Sequence, residues 1–215
     1  MTEKQLFFEL PVRSAYGRED FLVAPCNFEA IAWIDKFPDW PFHALLIEGP
    51  SGCGKTHLGS IFSSHLLQAN ALPDWRNYEI PEKLVIENID QLTTKEQEEA
   101  LFHWFNLINE KKAYVIFTAR KPPQFTLPDL QSRINSISHV SIQLPDDDLI
   151  FALLFKGFSE RQITVEPSVL GYIVRHTRRS FSDIQNLISK TDQLSLQLKR
   201  PITIPLIQKI LNEEK

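Results

Sequence analysis

Cysteine is scarce in this chain: two residues in 215, Cys26 and Cys53. That pair makes neither a metal-ligand spacing nor a disulfide framework, so both are expected as free thiols in a reducing compartment. Glycine is sparse too, 7 residues against 14 prolines, which points to stiff punctuation between elements and not to flexible linkers. Basic residues are not in excess. Lys+Arg 23 against Asp+Glu 27 leaves a net charge of −4, which disfavours a generic nucleic-acid coat. No window approaches the roughly 18 uncharged apolar residues of a transmembrane helix. The first residues, MTEKQLFFEL, include acids and lack the long apolar stretch of a signal peptide, so a cytoplasmic location is expected. What is present is 43% hydrophobic residues, enough for a sizeable core and against disorder. The length suits one domain, or one domain with a small satellite.

The chain shows no internal repeat and no low-complexity segment. Residues 1–18 read as a tail, with the apolar run Gln5-Leu6-Phe7-Phe8-Glu9-Leu10-Pro11 set apart by polar residues and Gly17. From Asn27 to Phe37 the apolar residues Ala30, Ile31, Ile34 and Phe37 fall at helical spacing. Ala44-Leu45-Leu46-Ile47 is a short continuous apolar run of the kind a buried parallel strand needs. A helical pattern then opens at Lys55 and runs through Leu58, Ile61, Phe62, His65 and Leu66. The cycle repeats with a strand at Lys83–Ile86, a Glu-rich helix from Thr94 to Asn109, a strand at Ala113–Phe117 and a short one at Val140–Ile142. Strands alternating with helices predict an α/β fold, a parallel sheet covered by helices on both faces. After Leu144-Pro145 only helical periodicities remain, near 146–159, 167–177, 180–198 and 204–212, which predicts a small all-helical unit.

Gly49-Pro50-Ser51-Gly52-Cys53-Gly54-Lys55-Thr56 fits G-x-x-x-x-G-K-[ST] at every fixed position, between a buried-type strand and a helix. Average residue usage would produce this match in under about one in a hundred chains of this length. Its glycines let successive N–H groups converge on phosphate oxygens, and the helix N-terminus adds its dipole. Lys55 is placed for the β- and γ-phosphates and the Thr56 hydroxyl for Mg²⁺, with His57 next in line on the helix. The competing reading is a glycine-rich turn with an exposed lysine.

Such a site also needs an acid at the end of a second strand. Glu87, in Leu84-Val85-Ile86-Glu87-Asn88-Ile89-Asp90, stands where that acid shapes the Mg²⁺ shell. Asn88 stands where a water-activating carboxylate is required. An amide orients water without supplying the negative charge that polarises it, so Asn88 implies slow or absent hydrolysis in cis. The pair also suits a plain strand end. Thr118 closes the third strand as a polar group near the γ-phosphate, and Arg133 precedes the last strand, where an arginine can reach a neighbour's nucleotide or simply lie solvated on the surface.

Taken in order, these segments resemble the AAA+ family, and specifically its DnaA-like branch, over about residues 20–212. Phe21-Leu22-Val23-Ala24-Pro25-Cys26-Asn27 is similar to that branch's segment leading into the adenine pocket. The resemblance implies Thr118 as sensor 1, Arg133 in Ser132-Arg133 as arginine finger, and Arg179 at the start of a lid helix as sensor 2. It further implies ADP or ATP with Mg²⁺ as ligands, bound by residues 49–57 together with Thr118 and Arg179. Within the branch the chain is most similar to the regulatory inactivators of DnaA of alphaproteobacterial type. Two features carry this likeness: the chain stops after the lid, leaving no room for a helix-turn-helix domain, and its tail resembles a sliding-clamp-binding peptide. Gln5, Leu6, Phe8 and Leu10 are the implied clamp contacts, although the tail equally suits an N-terminal strand packed on the core.

The organisation implied is a clamp-binding tail at 1–18, an AAA+ nucleotide-binding core at 19–145 and a helical lid at 146–215. The implied function is to dock on the DNA-loaded polymerase III β clamp and stimulate hydrolysis of DnaA-bound ATP, with Arg133 offered in trans. That makes the chain an inhibitor of replication initiation, with no sequence-specific DNA contact or membrane contact of its own and a homodimer left open. The alternatives are a self-sufficient AAA+ ATPase such as a helicase loader, and a DNA-binding replication adaptor.

Overall fold

The structure is a computed structural model and describes residues 17–198 and 201–212. Its apolar runs become the strands β1 (Ala44–Glu48), β2 (Leu66–Gln68), β3 (Lys83–Glu87), β4 (Tyr114–Ala119) and β5 (Ser138–Ser141). All pair in parallel, in the order β2-β3-β4-β1-β5. The three central strands are buried on both faces, which is why their sequences are continuously apolar and do not alternate. On one face Leu46, Ile86 and Phe117 pack beneath α3 (Lys95–Lys111) and α4 (Pro128–Ser136), against Leu101, Trp104, Leu130 and Ile134. On the other, Leu45, Ile47, Val85 and Ile116 meet Ile31 of α1 (Phe28–Asp35) and Leu58 and Phe62 of α2 (Lys55–Phe62). The predicted parallel α/β architecture is therefore present.

One expectation fails. The helix that opens at Lys55 does not continue to Leu66 but ends at Phe62, and the chain enters a fifth strand, β2, that periodicity does not reveal. The reason is Ser63, whose backbone is extended at φ −151 and ψ 146 and whose hydroxyl donates to the Lys83 carbonyl at 2.7 Å. This contact turns the chain alongside β3, where Val85 N–H takes the His65 carbonyl at 2.9 Å. Leu66 and Leu67 then face opposite cores. The last strand also lies two residues earlier than expected at its start, Ser138 instead of Val140, because its register is set by pairing with β1.

Local signals fix the helix ends. Thr94 and Gln97 cap α3 reciprocally, and the Asp146 carboxylate accepts Leu149 N–H at 2.8 Å to start α5 (Asp147–Glu160). Glycine has no part in ending α3, since Lys112 takes the left-handed position itself. After α5 come α6 (Pro167–His176), α7 (Phe181–Leu198) and α8 (Ile204–Asn212). These four helices share a core of their own around Ile150, Leu154, Phe158, Ile173, Leu187 and Ile207. Two lid residues, Leu149 and Phe181, instead join the core cluster containing Cys53 and Phe21, so the lid rests directly against the P-loop.

Candidate nucleotide site

The carboxyl ends of β1, β3 and β4 lie side by side because β4 sits between the other two. Beyond β1 the chain makes a loop that only glycine sequences allow. Gly52 and Gly54 have φ of 79 and 96, and a Cβ on Gly49 would lie 2.8 Å from Cys53 Sγ. A Cβ on Gly54 would meet the Phe21 ring at 2.9 Å. The loop delivers its N–H groups at the start of α2, as phosphate binding requires. Lys55 is only 8% exposed, and its Nζ donates to the carbonyls of Gly49 at 2.7 Å and Pro50 at 2.9 Å. Cys53 Sγ lies 3.6 Å from the same ammonium; burial pushes the thiol's pKa up although Lys55 pulls against it, so Cys53 is a packed thiol and not a nucleophile.

Thr56 and Glu87 come from different elements and meet directly. The Thr56 hydroxyl donates to one Glu87 oxygen at 2.6 Å, and the Gln68 amide donates to the other at 2.6 Å. Gln68 also accepts from Asn88 Nδ2 at 2.9 Å, so a residue of β2 joins the two strand-end residues. Sequence reasoning missed Gln68 because it missed its strand. Asn88 adopts φ 62, a left-handed conformation that asparagine tolerates, and its N–H donates to Thr118 Oγ1 at 3.1 Å. Thr118 is 1% exposed and borders the cleft beside Asn88.

The cleft has a volume of about 680 Å³, within the range of small-molecule sites. Ser51 to His57 line it, and Gly49 and Pro50 are not among the lining residues. Asp20, Phe21 and Leu22 form one wall. Phe21 stands edge-on to His57 with ring centroids 5.3 Å apart, and the His57 Nε2 lies 2.9 Å from the Gly17 carbonyl. Buried Asn27 fixes the turn that follows, donating to the Leu22 carbonyl at 2.9 Å and accepting from Ala24 N–H at 2.8 Å. The lid closes the cleft with Leu153, Lys156 and Arg161 of the α5 stretch and Phe181 and Gln185 of α7.

Two expected arginines are elsewhere. Arg179 does not line the cleft: its guanidinium pairs with Asp147 at 3.0 Å, both side chains well exposed. Arg179 is the residue that the resemblance implies as sensor 2, and here it stands just before the start of the lid helix α7, outside the cleft lining. The lid residue that reaches the P-loop is Gln185, whose Nε2 lies 3.5 Å from the Gly52 carbonyl. It shares a helical face with Phe181, Ile184 and Ile188, and that face was the one available signal. Arg133 also lies apart from this chain's cleft. It rides on α4 with its guanidinium 4.9 Å from the Phe102 ring centroid and 5.7 Å from that of Phe105. The implied clamp contacts Gln5, Leu6, Phe8 and Leu10 fall outside the described residues.

Helix α4 is held by an unusual cap. Its N-cap position is Leu127, which offers no side-chain acceptor, and Glu98 of α3 supplies one. The Glu98 carboxylate, 6% exposed, accepts Thr126 N–H at 3.0 Å, Thr126 Oγ1 at 2.8 Å and Leu127 N–H at 2.8 Å. Burial alone raises this carboxyl's pKa, but the hydrogen bonds from Thr126 and Leu127 outweigh it and hold the group below the usual glutamate range.

Comparison with known proteins agrees with this geometry. Residues 146–211 match the family model described as "Hda, lid domain", and residues 65–144 match that of the bacterial DnaA ATPase domain. The chromosomal replication initiator DnaA of Aliarcobacter butzleri is 25% identical over 230 residues, covering 93% of this chain and 52% of the relative. DnaA of Thermomicrobium roseum is 26% identical over 232 residues, covering 92% and 50%. The chain thus spans about half the length of the curated relatives it matches. Domain III of Thermotoga maritima DnaA superposes with a TM-score of 0.78 at 18% identity, over 95% of this chain and 98% of that one. AMPPCP-bound DnaA from Aquifex aeolicus gives 0.72 at 18% identity, over 93% and 69%. By these matches the chain is similar to the DnaA-related AAA+ proteins over residues 65–144 and to the Hda lid domain over residues 146–211.

Proposed function

We propose that this chain is a cytoplasmic, nucleotide-binding regulator of replication initiation, which docks on the DNA-loaded sliding clamp and stimulates hydrolysis of ATP held by DnaA. The observation that carries the reading is a complete phosphate cradle joined to an incomplete hydrolytic apparatus. The cradle has its lysine, its Thr56–Glu87 contact and its strained glycines, yet Asn88 occupies the base position and Gln185 is the lid residue at the P-loop. A site of this kind holds ADP or ATP as a structural ligand that fixes the angle between core and lid.

The Thr56 hydroxyl and the Glu87 carboxylate form an all-oxygen donor pair 2.6 Å apart, which fits Mg²⁺. Bound there, the ion neutralises phosphate charge. Stimulation in trans requires a cation on a surface away from the chain's own cleft, and Arg133 on α4 meets that requirement. An arginine entering a neighbour's site stabilises the charge of the transferring phosphoryl group and is worth roughly 10³–10⁵ in rate. The Hda-type lid and the clamp-like tail support the same assignment. The test is turnover of DnaA-bound ATP with and without this protein and loaded clamp. Absence of stimulation overturns the reading, and steady-state turnover by the isolated chain, abolished by Lys55→Ala, replaces it with a self-sufficient ATPase.

A further inference from the structure

Helix α4 has nine residues, so most of its backbone lies within a turn of one end and depends on what caps it. Glu98 of α3 holds the first turn. The last turn has no glycine, and Ile137 beyond it is extended, at φ −83 and ψ 168, and supplies no capping N–H. Two side chains take that place. Ser136 Oγ donates to the Arg133 carbonyl at 2.7 Å, and His139 Nε2 lies 2.8 Å from the Ile134 carbonyl. A carbonyl oxygen only accepts, so Nε2 carries the proton that joins the two groups. Both bonds thus fall on Arg133 itself or on the residue after it.

The ring that reaches α4 is itself held from the sheet. Strand β5 runs beside β1 with His139 opposite Leu46 and Ser141 opposite Glu48. Residues two apart on a strand share a face, so His139 and Glu48 project on the side where Leu46 packs beneath α3 and α4. Glu48 Oε1 lies 3.8 Å from His139 Nδ1, and only 14% of the glutamate side chain is exposed. With Nε2 committed to the helix, this carboxylate faces the other edge of the ring and sets its orientation. Burial pushes the Glu48 carboxyl's pKa up, while His139 pulls against the rise and Asp90 adds to it. A half-buried acid therefore gains from keeping the ring beside it. Glu48 also directly precedes Gly49, so the tie runs from the strand that feeds the P-loop to the helical turn that carries Arg133.

Resting on the reading of Arg133 as a cation offered to a partner's nucleotide, we infer that His139, oriented by Glu48, is a positioning residue that fixes where Arg133 leaves this chain. Phe102 guides the guanidinium from 4.9 Å, but a cation over a ring is free to slide across its face. Hydrogen bonds to the carbonyls of residues 133 and 134 instead fix the backbone from which the side chain departs. Without the bond at 134 the last turn of α4 frays, and Arg133 frays with it. An arginine acting in another molecule's site works only where its fork meets the transferring phosphoryl group, and a misplacement of about 1 Å can cost about 10²-fold in rate. Docking spreads over a whole surface and does not depend on that one turn. His139 therefore governs the rate of the stimulated reaction and not the affinity of the complex.

The experiment follows hydrolysis of DnaA-bound ATP with loaded clamp over a range of concentrations of the full chain, for wild type, Arg133→Ala, His139→Ala, His139→Gln and Glu48→Gln. His139→Ala is expected to lower the maximum rate about tenfold and to move the half-saturating concentration less than about threefold. His139→Gln keeps an N–H donor near the place of Nε2 and should recover most of the rate. Glu48→Gln keeps the shape without the charge and should lower the maximum rate about threefold, again at unchanged half-saturation. A merely structural role lowers the melting temperature and leaves the rate per folded molecule as in wild type. That result, a loss confined to the half-saturating concentration, or no recovery with glutamine overturns the assignment. Should His139→Ala fail to fold, Glu48→Gln decides: a lowered maximum rate upholds the assignment and a full rate overturns it. Wild type without stimulation, or Arg133→Ala that stimulates as wild type does, overturns the reading of Arg133 itself. Loss in Arg133→Ala with a full rate in His139→Ala overturns only the role of His139.

Discussion

Removing the Glu98 carboxylate tests how the helix that carries Arg133 is held in place. Glu98→Ala deletes an acceptor of three hydrogen bonds in a site 6% exposed, leaving Thr126 N–H, Thr126 Oγ1 and Leu127 N–H without their partner. Loss of a helix cap costs about 0.5–2 kcal/mol, and each hydrogen bond to a charged group is worth about 1.5–3 kcal/mol. Because water partly recovers the freed donors once the side chain is gone, the expected net loss is about 3 kcal/mol. Glu98→Gln retains one carbonyl acceptor and should lose about half of that. The folded-state pKa is lowered, so the native carboxylate binds its proton less readily than the unfolded one. Its contribution is therefore fully present above the unfolded glutamate value, about 4.3, and is lost as pH falls through the folded value. Urea unfolding of wild type and Glu98→Gln from pH 7 downward should show a stability gap that is constant to about pH 5 and then narrows. A gap below about 0.5 kcal/mol for Glu98→Ala at pH 7, or one that widens in acid, refutes the capping argument.

Three further expectations follow from the same geometry. Lys55→Ala should abolish binding of labelled ADP, because the ammonium now held by the Gly49 and Pro50 carbonyls is the cation nearest the cradle; unchanged affinity would show that the loop binds no phosphate. Arg133→Ala should fold with a stability loss of about 1–2 kcal/mol, the worth of a half-buried cation–π contact with Phe102, and should bind nucleotide and clamp normally. It should nevertheless fail to stimulate hydrolysis of DnaA-bound ATP, and lysine should not restore it, since an ammonium does not copy the planar fork; normal stimulation sinks the trans mechanism. Deleting residues 1–11, or changing Gln5 and Leu6 to alanine, should eliminate clamp binding in a pull-down while nucleotide affinity stays intact. A deletion that fails to fold would instead make the tail part of the core.

The sequence by itself determined whatever rests on neighbours along the chain. The P-loop is eight consecutive residues whose backbone requirements, glycine at 52 and 54 above all, are written into their own side chains. Strands β1, β3 and β4 were legible because burial on both faces leaves an unbroken apolar run, and the four lid helices because one buried stripe repeats at helical spacing. Tertiary structure alone decided the rest. Leu66–Gln68 continues the apolar spacing of α2, and only the hydrogen bond from Ser63 to Lys83, twenty residues on, turns it into a strand. With that strand came Gln68, and with it the network that ties Glu87 to Asn88. Which lid residue reaches the P-loop depends on how α7 docks through Phe181 against the core, and the outcome is Gln185, while Arg179 finds Asp147 on the surface. Spacing along a helix tells which residues share a face, but the partner that the face meets is chosen by packing between elements distant in sequence.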